Sequence, residues 1–302
     1  MSGASSIIAA PGGFDGVRAG AVVYWSLRGS LDVSALTQVW EDAELPPEIL
    51  LHPPSPDAAL SRAVRTLASP RTLVRPLEGR KGYALVHERA KGDDLEHVVG
   101  LSVRLDAVGR LQFLCHKHGN WLSLGRDTFG DTAALKQAQA VQTAYDQALG
   151  EAAPEDVGGW LVRIALKYLD GVGLRDAGGF YYIPPAHVAS WESVKRAVRA
   201  VSSHKLQQID AMRSEDVVDA VLDAVDEEAQ VFVEKTFSEL ADEMGVRALR
   251  TRVKRAEQVE AKVRRYEGLL GMRLEKLRER VGECQAAVAA AILRAEAETE
   301  AA

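Results

Sequence analysis

From Ser214 to its end the chain contains no stretch with the alternation of a strand. Instead Val246, Leu249, Val253, Ala256, Val263, Tyr266, Leu270, Leu277, Val281, Cys284 and Val288 recur at spacings built from threes and fours. Such a series lines one side of an α-helix, here as an imperfect heptad with slips near Val259 and Leu274. An uninterrupted helix over Val246 to Ala297 would reach about 75 Å at 1.5 Å per residue. That is longer than a small domain is wide, so much of the stripe needs a partner. The spacing therefore predicts a long helical arm. Its expected oligomer interface is Leu249, Val253, Val263, Leu270, Leu277, Val281 and Val288. A shorter helix precedes it: Ser214 suits an N-cap, Glu215 and Asp216 a first turn, and Gly245 a break.

Charge divides these helices sharply. Between Ser214 and Gly245 eleven acids face one base, Lys235, a net of −10. Between Val246 and Arg280 twelve bases face five acids, a net of +7. One reading is self-complementarity, with the two segments pairing within one chain or between chains. The other is a basic surface for phosphate, formed by Arg247, Arg250, Lys254, Arg255, Lys262, Arg264 and Arg265. Those positions serve equally for contact with an acidic partner. Tyr266 is the lone aromatic in the basic segment, so stacking on nucleobases is not expected and backbone contact is what is left.

Upstream the periods change. Ala19 to Leu27 has strand composition, and Leu36, Val39 and Trp40 repeat at helical spacing. Five prolines within PPEILLHPPSP mark a connector, after which Ser55 or Asp57 caps a short helix running to Leu67. Leu73 to Pro76, Tyr83 to Arg89, Leu95 to Leu105 and Leu111 to Lys117 read as strands, the last three separated by hairpin-length turns. The expectation is an antiparallel meander with Leu101 opposite Cys115. Helices follow at Asp131 to Gly150 and Glu155 to Leu169, then a β-α-β piece of FYYIPP, Ala186 to Val201 and Lys205 to Ile209. The fold class is α+β: an N-terminal domain with an antiparallel meander and flanking helices, a small mixed β-α-β region, and a long C-terminal helical arm resembling a coiled coil. The expected divisions are a tail at 1–18, domains at 19–152 and 153–212, and the helical arm at 213–302.

LCHKHGNWL, Leu114 to Leu122, holds the densest chemistry. With Leu111 and Phe113 facing a core, period two places Cys115 there and His116 and His118 on the other face. His-x-His on a strand presents two imidazoles to one metal, but a site requires a third ligand and usually a fourth. Glu96, on the neighbouring strand, is the candidate; His97 should point the other way, across from His87. The plainer reading is a strand end with exposed histidines, and no metal or other cofactor is expected. GVGLRDAGG, Gly171 to Gly179, follows a helix and opens a strand, the reverse of a dinucleotide fingerprint, and reads as punctuation. No GxxxxGK[ST], GxSxG, HExxH or CxxC occurs, so no enzyme is expected.

The whole chain carries −6, and its two cysteines, Cys115 and Cys284, make no disulfide framework, so a cytoplasmic setting is expected. No apolar run reaches the roughly 20 residues of a membrane span, and MSGASSIIAAPGGFDG lacks the layout of a signal peptide.

The segment GGFYYIPPAHVASWESVKRAVRAV, Gly178 to Val201, resembles uncharacterised bacterial and phage proteins that share a Gly-aromatic-Pro strand, a helix and an extended helical C-terminus. The likeness runs from Trp160 to the end and carries no catalytic residues. It implies a setting among mobile elements or phage conflict. The function expected first is a non-enzymatic scaffold or adaptor that binds itself, or another protein, through the arm. A second is a DNA- or RNA-associated protein using the helix at 246–280. A third is a metal-dependent enzyme centred on His116 and His118.

Overall fold

The computed structural model describes residues 18–80, 82–91, 94–115, 119–124, 129, 131–175, 178–241, 245–270 and 274–301. In chain order the elements are β1 (Arg18–Ser26), β2 (Leu31–Asp32), α1 (Val33–Asp42), α2 (Pro56–Thr66), β3 (Thr72–Pro76), β4 (Tyr83–Lys91), β5 (Asp94–Leu105), β6 (Leu111–Cys115), β7 (Trp121–Leu122), α3 (Thr132–Gly150), β8 (Glu151–Ala152), α4 (Pro154–Arg163), β9 (Val172–Gly173), β10 (Tyr181–Ile183), α5 (Val188–Val201), β11 (Lys205–Met212), α6 (Glu215–Ala241), α7 (Val246–Leu270) and α8 (Glu275–Ala301). The fold is α+β with antiparallel sheets and long C-terminal helices, as the periodicities predict. Its compact units follow spatial contact, not chain order. One takes in the chain up to Ser26, Leu161–Arg196 and everything from Lys205; the other takes in Leu27–Trp160 and Ala197–His204.

The second of these units holds the meander, with strand order β3-β4-β5-β6-β7. Leu101 pairs with Cys115, the register that alternation of apolar residues predicts. Leu85, Leu101, Val103, Leu111, Phe113 and Cys115 put one face of the sheet against Ala59, Leu60, Ala63 and Val64 of α2 and Ala134, Ala138, Val141 and Tyr145 of α3. The β5–β6 turn is made by Asp106, whose carboxylate accepts from the backbone N–H groups of Val108 (2.9 Å) and Arg110 (2.8 Å). Gly109 takes the positive φ of 79° that the turn needs, and its carbonyl accepts from the Tyr145 hydroxyl at 2.7 Å. One detail departs from expectation. His87 pairs with Val98 and His97 with Glu88, one residue away from the expected pairing of His87 with His97. A register shift between Leu85 and Val86 moves the partner of His87 from Val99 to Val98, a displacement that sequence alternation alone cannot show.

In the first unit β1 lies inside a sheet of order β11-β1-β10-β9. The expected domain at 19–152 groups β1 with the meander; by its contacts β1 belongs to the other unit. It pairs antiparallel with two strands far downstream, from Ser26↔Lys205 to Arg18↔Met212 on one side and Ala21↔Ile183 to Val23↔Tyr181 on the other. On one sheet face Trp25 stacks on Tyr181 at 4.9 Å and meets Trp191 of α5 at 5.9 Å. On the other, Val22, Val172, Tyr182 and Ala211 join a core built from α6, α7 and α8.

The C-terminal arm is not one long helix. α7 ends at Leu270 and α8 starts at Glu275, and the two run antiparallel. Arg250 pairs with Glu296 (2.9 Å), Gln285 donates to Glu260 (3.0 Å) and Arg278 meets Glu267 (3.5 Å), a ladder in which one number rises as the other falls. α6 and α7 are likewise antiparallel, through Glu239 with Arg252 and Glu228 with Lys262 (2.5 Å). The stripe is therefore covered within one chain. Leu249, Val263, Leu270, Leu277, Val281 and Val288 are all buried, and Val253 is half-buried. Doubling back lets the apolar residues of α7 and α8 bury one another, which removes the need for a second copy that a 75 Å rod would create.

Candidate functional site: a basic cleft on α7

The sites considered from sequence fall in different compact units. Cys115 is buried in the meander core. His116 and His118 lie outside the described residues; Glu96 is on β5, its backbone paired with Arg89. Among the described residues no three His, Cys, Asp or Glu side chains group closely enough to hold a metal. Cys284 is buried in the helical core, where desolvation pushes its thiol pKa up. A recess of about 700 Å³ beside the β5–β6 turn is lined by Asp106, Arg110, Tyr145 and Asp146 among others. Its carboxylate Asp106 and the Tyr145 hydroxyl are both engaged in shaping that turn. In GVGLRDAGG, Gly171 is packed so tightly that a Cβ would sit 2.6 Å from the Tyr182 carbonyl oxygen and 2.7 Å from that of Ala165. The glycine there serves a close backbone approach, and Val172–Gly173 forms β9.

The positive charge of α7 is sorted by depth. Arg252 pairs with Glu239, and Arg264 with Glu260 at 2.5 Å. A hydrogen bond from Gln285, with help from Arg264, holds the Glu260 carboxyl below its ordinary range. Arg247, Arg250 and Lys254 stand exposed along one side of α7, around a shallow depression. Arg247 and Lys254 have no carboxylate partner among the described residues, and the Arg250–Glu296 pair is itself open to solvent.

One turn further along, α7 forms the wall of a cleft of about 570 Å³ lined by Leu166, Lys167, Tyr168, Asp170, Glu228, Arg255, Gln258, Val259, Lys262 and Arg265. Residues 255, 258, 262 and 265 lie three to four apart and so share a helix side. Across from them, α4 passes into a π-helical turn at Ile164–Tyr168, closed by the Leu169 N–H on the Ile164 carbonyl at 3.0 Å. Ile164, Ala165 and Leu169 anchor this turn in the core, leaving Lys167 and Tyr168 exposed. Asp170 adopts a positive φ of 52°, unusual for a residue with a side chain. It is clamped there by two side chains. The Tyr266 hydroxyl donates to its carbonyl at 2.7 Å, and Arg265 forks onto its carboxylate at 2.5 and 2.7 Å. Burial holds the Tyr266 pKa far above the usual phenol value, so the hydroxyl remains a donor.

Lys262 is the buried member, 7% exposed. Its ammonium donates to the Gly171 carbonyl at 2.7 Å and to Glu228 at 2.5 Å. Arg255 is held more loosely, 3.5 Å from Glu228 and 3.4 Å from Gln258. Four bases and two acids leave the cleft a net charge of +2. Sequence patterning finds the α7 bases of this cleft and misses Lys167, Tyr168, Asp170 and Glu228. The only local signal for the first two is that they lie off the apolar side of their own helix, beside its glycine-marked end. Comparison with curated proteins and with solved structures returned no match. The model of a family of unknown function, DUF6744, matches residues 19–298, and the chain belongs to that family.

Proposed function

We propose that this chain is a non-catalytic binding protein that engages the phosphates of nucleic acid through the outer side of α7. The observation that supports this reading is the row Arg247, Arg250 and Lys254, exposed and leading without a break into the cleft bases Arg255 and Arg265. Of the other α7 bases, Arg252 and Lys262 pair with Glu239 and Glu228 of α6 and Arg264 with Glu260 of α7 itself, while Arg247 and Lys254 have no carboxylate partner among the described residues. Phosphate contact is electrostatic and sequence-independent. Three contacts predict log K falling against log salt with a slope of about −2.7 on duplex DNA, at about −0.9 per phosphate. The test is fluorescence anisotropy with labelled single-stranded and duplex DNA at low and physiological salt. The variant Arg247→Glu/Arg250→Glu/Lys254→Glu should lose binding. Absence of binding at low salt, or a triple variant that binds like the parent, would sink the reading.

A scaffold role, by self-association or with another protein, is a second reading with its own support. Leu293 is 69% exposed on α8, and Val231 (58%) and Phe237 (43%) are exposed on α6. A second chain would dock on these outer residues, since the apolar seam is occupied. Leu293→Asp should then reduce the mass of any oligomer seen by native mass spectrometry without lowering the melting temperature. Among the described residues no helix is long and apolar enough to cross a membrane, and no membrane partner is proposed.

A further inference from the structure

We infer that the cleft between the π-helical turn and α7 is a subsite for one unpaired nucleotide, in which Tyr168 stacks on the base while Lys167 and Arg255 contact the adjoining phosphate. The inference rests on the phosphate-binding reading of α7 and adds to it a chemical preference, single strand over duplex. The π-helical turn adds a residue to the helix end, and such turns recur at functional sites. Here it carries an aromatic side chain out to 43% exposure, directly beside a lysine, at the rim of the cleft. An exposed ring next to cations is the pairing that single-strand binding uses: a stacking platform that accepts any base, and charge that tracks the backbone.

The opposite wall matches. The loosely held Arg255 can turn toward a phosphate, while Lys262 and Arg265 are fixed by Glu228 and Asp170 and contribute field. The net +2 suits an anionic ligand, and a volume of about 570 Å³ falls within the ~300–1,000 Å³ of small-ligand sites. The partly exposed Leu166 adds apolar surface that a base can cover and a lone inorganic anion would not use. The exposed row Arg247–Lys254 ends one turn before Gln258 of the cleft, so a single strand lying along α7 runs into it. Bases stacked inside a duplex cannot reach Tyr168, because stacking on a side chain requires an unpaired base.

The experiment compares three probes at low salt: a single-stranded DNA, the same strand without bases, and the duplex. Tyr168→Ala should lower affinity for the single strand about tenfold and leave the baseless strand and the duplex unchanged, while Tyr168→Phe, which keeps the ring, binds like the parent. Lys167→Glu should weaken binding of both single strands. Circular dichroism checks that each variant is folded. If Tyr168→Ala lowers all three affinities alike, or none, the subsite is overturned while the α7 reading stands. If the parent protein binds none of the probes, both fall together.

Discussion

His204 is 2% exposed, and its Nδ1 accepts the Arg28 N–H at 3.2 Å, which puts the proton of the neutral ring on Nε2. That Nε2 is buried without a partner among the described residues. Burial lowers the His204 pKa from its ordinary 6.5, because a charged ring would lose its hydration. The unfolded chain takes up a proton near 6.5 and the folded chain resists it. This contribution is therefore fully present above about pH 6.5 and lost as pH falls from there through the folded value. Urea denaturation across that range should show a steeper acid loss of stability for the parent than for His204→Gln, and parallel curves would refute the assignment. Lys262 makes a second residue-scale case. Lys262→Met leaves Glu228 and the Gly171 carbonyl short of a donor and should cost about 2 kcal/mol. Arg264→Ala breaks a pair whose arginine side chain is 64% exposed and should stay within about 0.5 kcal/mol, as urea midpoints would show.

At the level of the element, α7 serves three neighbours at once. One side buries Leu249, Ala256, Val259, Val263, Tyr266 and Leu270, a second pairs charges with α6 and α8 through Arg252 and Glu267, and a third faces solvent. Its helical period is too regular for these roles to be exchanged, so substitutions should sort by side. Val281→Asp on the partner helix α8, at 0% exposure, puts a carboxylate into the shared core and should cost at least about 3 kcal/mol. That loss should be independent of protein concentration, since the seam lies within one chain; a concentration-dependent melt would restore the intermolecular seam. The charge pairs between α6 and α7 add little to stability when exposed. Their effect is on orientation, favouring the alignment that sets Glu228 beside Lys262 and Glu239 beside Arg252.

For the whole molecule, acidic and basic charge are segregated along the chain and Glu228 and Glu239 of α6 pair with bases of α7 among the described residues, which is how a chain of net −6 can still present a local basic surface. Raising salt should therefore weaken nucleic-acid binding steeply while hardly moving the melting temperature, since paired charges are individually weak and phosphate contacts release counterions. The sequence by itself determined what a short window can encode. Alternation set the meander and the Leu101–Cys115 register, Asp106 and Gly109 set its turn, and the three-four spacing set which residues of α7 and α8 are buried. The separation of acidic from basic charge was likewise written in the chain. Only the tertiary structure decided what each apolar surface meets. β1 finds β10 and β11 beyond the whole meander, the arm folds back on itself, and Tyr168 of a distant helix end comes to line the α7 cleft. The physical reason is that local spacing names the side to be covered, while closing a long loop costs only slightly more than closing a short one. Distance along the chain thus does little to select among partners, and the choice falls to the packing of all the surfaces together.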